Sequence, residues 1–240
     1  DLYIAGLSNG EFASTLRSVS YPFEAGVETT SIEMFHTAHN QNETRAPIRA
    51  MAMVDLGGEK TMVAAYTCTP LVTIPVAALE DGAHVMGSTV AELGYGNRPL
   101  EVLSLTAYNM ERQPEQFVLV INREMSANLI KLDDLAAAPA LTEPFSALGD
   151  TLGADGTHIP FAGILQADDQ DAQFILTLRR NIDTGDVDLI SSMKGVYFRL
   201  SDFVSEYTFP DYVYAENQVG TQMFHNMLKP LEGYPELVIE

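Results

Sequence analysis

Tryptophan is missing altogether, cysteine occurs once, and basic residues are scarce. Lys and Arg number 13 against 33 Asp and Glu, a formal charge of −20 at pH 7. The single Cys68 excludes an internal disulfide and, with no Cys-x-x-Cys-His, a haem c attached to this chain. So negative a chain repels nucleic acid and anionic membrane surfaces, which removes DNA and RNA from the expected partners. No apolar run approaches the roughly 20 residues that span a bilayer as a helix. Gly-x-Ser-x-Gly, the P-loop and His-Glu-x-x-His are also missing, so the commonest hydrolase, nucleotide and metalloprotease motifs do not apply. The chain opens on Asp1-Leu-Tyr-Ile, already strand-like, with neither Met nor a leader, and an upstream segment is expected. Acidity of this kind is a solubility device of salt-exposed and periplasmic proteins, and the expected setting is periplasmic or secreted.

What the chain does have is alternating and continuous apolar runs of strand length. Ile48–Leu56 is followed by Gly57-Gly58, a hairpin signal, then by Thr61–Tyr66 and Leu71–Ala77. Leu100–Ala107 pairs in pattern with Phe117–Ile121, and Phe161–Gln166 with Phe174–Leu178. Val118–Ile121 is apolar at every position, which suits a strand covered on both faces. Helical signals are few: one turn at Asp133–Ala138 and another at Leu200–Val204. The stretch Pro139–Gly156 reads as a long surface excursion. A short closing strand is expected at Glu236–Ile239.

These runs repeat. Tyr3–Arg17, Val63–Pro75 and Val118–Leu132 each read strand, polar turn, strand, and Phe174–Ile190 is a looser copy. The spacing is roughly 55–60 residues, somewhat longer than the common propeller-blade periods. The pattern resembles the four-stranded antiparallel blade of a β-propeller, although no Trp-Asp or tryptophan-docking motif is present. The resemblance implies an all-β chain with an incomplete first blade over 1–40, further blades over 41–95, 96–150 and 151–210, and a closing tail over 211–240. That makes about three and a half blades, fewer than a closed ring carries. An open arc exposes unpaired edges, so another polypeptide, a missing N-terminal half or a second copy is expected to complete it. The competing reading is a β-sandwich.

In a propeller, the loops entering the innermost strands and the turns after the second strands share one face. The entering loops end in Arg45-Ala-Pro47, Asn97-Arg98-Pro99 and His158-Ile-Pro160. With Tyr95, Arg123 and Cys68 they make a candidate ligand site for a small anion, because guanidinium groups bind carboxylate and phosphate through paired donors. The same arginines could instead brace neighbouring blades through Glu43, Glu92, Glu101 or Glu124. His36 and His39, with His158, are candidate ligands for copper, zinc or iron, and Glu43 could add a carboxylate. Each histidine could equally be an ordinary hydrogen-bonded loop residue. Asp168, Asp169 and Asp171, and Asp183, Asp186 and Asp188, are carboxylate-rich turns without EF-hand spacing, so calcium is not expected. Two functions follow: a binding module that assembles with another chain, and a metal-dependent oxidoreductase acting on a small anion.

Overall fold

The computed structural model describes residues 1–68, 70–94, 98–123, 126–145, 151–159, 161, 164–180 and 184–195. Over these residues the chain is all-β. The strands are β1 (Leu2–Leu7), β2 (Ser14–Val19), β3 (Glu28–His36), β4 (Gln41–Glu43), β5 (Ile48–Leu56), β6 (Glu59–Tyr66), β7 (Pro70–Pro75) and β8 (His84–Glu92). Then come β9 (Pro99–Tyr108), β10 (Pro114–Asn122), β11 (Ala127–Lys131), the single-turn helix α1 (Leu132–Ala137), β12 (Leu152–Gly153), β13 (Gly156–Ile159), β14 (Ile164–Asp169), β15 (Phe174–Arg180) and β16 (Val187–Met193). The helical turn expected at Leu200–Val204, the strand expected at Glu236–Ile239 and the tail 211–240 lie outside the described residues. The chain divides into two compact units, the first made of Asp1–Gly94 and Asp133–Ala154.

The first unit is a nine-stranded sheet in the order β1-β2-β3-β8-β7-β6-β5, with β4 on β3 and β12 on β8. Its end strands β1 and β5 touch, so the sheet nearly closes into a barrel. The hairpin signal at Gly57-Gly58 holds: φ is 64° and 92°, and Leu56 pairs with Glu59 across a two-residue turn that only positive φ at both positions allows. Along β3 the side chains alternate, with Thr30, Ile32, Met34 and His36 buried. Ile32 and Met34 join Leu16, Ile48, Met62, Tyr66, Val72 and Ile74 in one apolar core. Each such side chain contributes about 1.5–3 kcal/mol by leaving water.

A succession of four-stranded meanders does not describe this unit. β8 returns to lie beside β3 in parallel register, Ser31 opposite His84 and Met34 opposite Gly87. That pairing covers the β3 edge, which a hairpin-by-hairpin reading leaves bare. The second unit is closer to the expected pattern. It contains a four-stranded antiparallel sheet, β13-β11-β10-β9, and a three-stranded one, β14-β15-β16. Leu105, Phe117, Leu119, Ile121 and Leu129 from the first share a core with Ile164, Ala167 and Ile175 from the second. Val118 and Val120, on the opposite face of β10, are fully buried as well, as a continuous apolar run requires.

The excursion after α1 is pinned to the first unit. The Leu141 amide donates to the Thr89 carbonyl, Phe145 to Thr37, and Ala154 to Val90, and β12 adds to the edge of β8. Backbone groups must find partners somewhere, and here the sheet edge supplies them.

Candidate functional site

His36 is the last inward-facing residue of β3, so the strand's alternation places an imidazole at the rim of the core. A single 3-10 turn, Thr37–His39, follows. It ends at Asn40 in the left-handed region (φ 51°), whose amide returns to the Thr37 carbonyl. Asn tolerates that conformation better than most residues, and the chain doubles back into β4. Met34 then faces Glu43, and His36 faces Gln41. The doubling-back makes His36, His39 and Glu43 converge.

The donor atoms of these three residues lie within 4.8 Å of one another. His39 Nδ1 is 2.8 Å from Glu43 Oε1, and His36 Nδ1 is 3.6 Å from the same oxygen. Gln41 Nε2 donates to it at 3.0 Å. The two imidazole rings are 3.9 Å apart, tilted by 46°. Donors bound at zinc distances in a tetrahedron lie about 3.4 Å from each other, so the cluster needs only side-chain adjustment to enclose an ion.

Its electrostatics favour a cation. Burial, and next the charge of His39, hold the His36 imidazole below its ordinary pKa; Glu92 and Glu43 pull the other way and do not prevail. Burial would push the Glu43 carboxyl up, but hydrogen bonds from His39 and Gln41 and the imidazole charges outweigh it, and it sits below its usual range. Neutral imidazole and ionised carboxylate are the forms that bind metal. His36 is buried while His39 is half exposed, so the cluster opens to solvent on the His39 side.

Behind it stands Glu92, the last residue of β8 and 2 % exposed. Its Oε1 accepts from the Thr37 amide at 3.1 Å and the Thr37 hydroxyl at 2.7 Å, while its Oε2 has no partner among the described residues. Sequence reasoning offered Glu92 only as a brace for an arginine. Its place beside His36 follows from the parallel β3–β8 pairing, which no local pattern announces.

The other candidates are divided between the two units. Arg45 is exposed and precedes β5; Cys68 is half buried in the turn between β6 and β7 with φ 85°. Strand directions place both at the end of the first unit's sheet where β3 and β8 finish. Arg98, Arg123 and His158 belong to the second unit, at one end of its four-stranded sheet. There the Arg123 amide donates to the Arg98 carbonyl at 2.9 Å, and His158 Nδ1 lies 3.1 Å from the Ser126 hydroxyl. Among the described residues, the metal-type cluster holds His36, His39 and Glu43 and does not include His158. Tyr95 and Asn97 lie outside the described residues. The aspartates of the β14–β15 turn serve the protein's own donors: Asp171 accepts from the Gln173 and Phe174 amides, and Asp169 pairs with Lys194.

A second histidine network joins β3 and β8. His84 lies between the Ser31 hydroxyl (2.8 Å to Nδ1) and the Glu33 carboxylate (2.6 Å to Nε2), with the Phe12 ring 4.3 Å away. Ser31 and Glu33 share the outer face of β3, two residues apart. No helix among the described residues is long and apolar enough to cross a membrane. Compared with protein-family models the chain matches none, and no curated protein matches it.

Proposed function

We propose that this chain is an all-β metal-binding protein whose first unit takes a divalent transition metal at His36, His39 and Glu43. The observation that carries the reading is the convergence of two imidazoles and a carboxylate within 4.8 Å around one tight turn. Two His and one carboxylate suit zinc with a fourth position open, or iron(II) with more than one open. An open position on the exposed His39 side gives a small anion access to the metal, and Arg45, at the same end of the sheet, is the candidate to orient it. Such a centre supports either of two activities, ligand binding or metal-dependent oxidation of a small anionic substrate.

The antiparallel meanders of the second unit support reading that half as propeller blades, with β9–β11 and β13 as one and β14–β16 as part of the next. Completing a ring then calls for a partner polypeptide or a second copy. The acidity is in keeping with a periplasmic or secreted setting.

Metal analysis tests the reading. Protein purified without chelator and then reconstituted with zinc, iron(II) or copper should retain one ion per chain after desalting. The H36A/H39A double variant should retain none. Sub-stoichiometric metal in the unmodified protein under all three conditions would sink the proposal.

A further inference from the structure

We propose that the second unit carries a separate anion-binding cleft, built on Lys194 and Arg112, that takes a small organic carboxylate. The cleft, about 640 Å³, is lined among the described residues by Tyr108, Arg112, Gln173, Met193 and Lys194, with Ala172 and Gly195. A volume of this order accommodates a small molecule. The chain has 33 acidic residues, yet none is among these. Two of its 13 cations are.

The ammonium of Lys194 is held in place. Lys194 follows β16 and is 1 % exposed. Its ammonium donates to the Thr106 carbonyl at 2.6 Å and to Asp169 Oδ1. The other Asp169 oxygen accepts from the Thr106 amide at 3.2 Å. An ammonium has three protons. The third has no acceptor among the described residues. The Lys194 amide donates to the Gln173 carbonyl at 2.7 Å, which ties two lining residues together.

Arg112 enters from the turn between β9 and β10. Its φ of 62° is unusual for a residue other than Gly or Asn. The turn is fixed by Asn109, whose side-chain oxygen accepts from the amides of Glu111 (3.0 Å) and Gln113 (2.9 Å), and whose carbonyl accepts from the Arg112 amide at 3.0 Å. The Arg112 guanidinium has no carboxylate or carbonyl partner among the described residues. Asp169 balances one positive charge, and the other is left over. A carboxylate placed between the ammonium and the guanidinium satisfies both, through charge-assisted bonds stronger than neutral ones. Tyr108 and Met193 supply apolar surface for the rest of the molecule, which favours an organic acid over a bare inorganic ion.

Benzoate, its neutral isostere benzamide, and inorganic phosphate are the probes, titrated calorimetrically into the full chain with and without prior EDTA treatment. Benzoate should bind, equally well after EDTA, and benzamide should not. Arg112→Gln, at an exposed turn position, should weaken benzoate about tenfold or more with an unchanged melting curve. Lys194→Met should abolish binding, but it also leaves Asp169 without its cation, so Arg112→Gln is the deciding variant. Silence with benzoate, equal binding of benzamide, or unchanged affinity in Arg112→Gln overturns the proposal. Phosphate binding without benzoate binding overturns the carboxylate assignment. Loss of benzoate binding on EDTA treatment would transfer the anion to the metal of the first unit and overturn it too, whereas a metal-free protein that still binds benzoate leaves it standing.

Discussion

Glu43 Oε1 receives His39 Nδ1 at 2.8 Å and lies 3.6 Å from His36 Nδ1, so a single carboxylate oxygen sits against two imidazoles of opposite exposure. On the proposed reading one proton or one metal ion occupies the space between them, and competition between the two sets how the cluster responds to its surroundings.

Removing a ligand should therefore cost more than removing its support. His36→Ala and Glu43→Gln are expected to weaken zinc affinity by more than about 100-fold. Glu92→Gln, which keeps an oxygen for Thr37 but loses the buried charge beside His36, should cost about 10–100-fold. Competitive titration against a zinc-responsive dye gives the ranking. Equal losses in all three variants would place Glu92 among the ligands.

Acidification should destabilise the first unit in two steps. The folded-state pKa of His36 is depressed, so below the unfolded value near 6.5 the unfolded chain binds the extra proton first, and stability falls as pH drops from there towards the folded value. Glu43 is also depressed; its contribution is complete above the unfolded value near 4.5 and is lost as pH falls through the folded one. Both signs agree. Melting temperatures of the metal-free protein should be level above about pH 7, decline below about 6.5 and decline again below about 4.5. His36→Asn should remove the first decline and spare the second.

Gly153 sits at φ +90°, and a Cβ there would collide with the carbonyl oxygen of Val90. Gly153→Ala should detach β12 from β8, at a cost of about 1–3 kcal/mol. Hydrogen exchange reads the effect locally: the Ala154 amide, bonded to the Val90 carbonyl at 2.9 Å, should lose protection, while the amides of β6 keep theirs. Retained protection at Ala154 would contradict the close approach.

Cys68 holds φ 85° in the turn between β6 and β7, a conformation that suits glycine. Cys68→Gly should stabilise the first unit by about 1 kcal/mol if the thiol has no chemical role, because the local strain is relieved. Chemical denaturation measures this, and metal content should be unchanged. A loss of metal in Cys68→Gly would bring the thiol into the centre as a soft ligand.

The hairpins were legible because their determinants are local. Gly57-Gly58 names its own turn, and the alternation of Ile48–Leu56 and the continuous run Val118–Ile121 give strand and burial directly. The His-x-x-His-x-x-x-Glu spacing of residues 36–43 was visible too, but its convergence was not, since it depends on one residue, Asn40, accepting a left-handed backbone. The stretch 139–156 reads as a surface excursion because nothing in its composition says that the edge of β8 offers amide partners to Leu141 and Ala154.

Composition and residue order are enough for strands, for a charge of −20, and for the stock of imidazoles, carboxylates and cations. Tertiary structure decided which of them meet. Glu92 reaches Thr37 across 55 positions, and Lys194 reaches Thr106 across 88. Strand formation answers to neighbours two residues apart, whereas a site answers to which edges need covering, and that is fixed only when the sheets close.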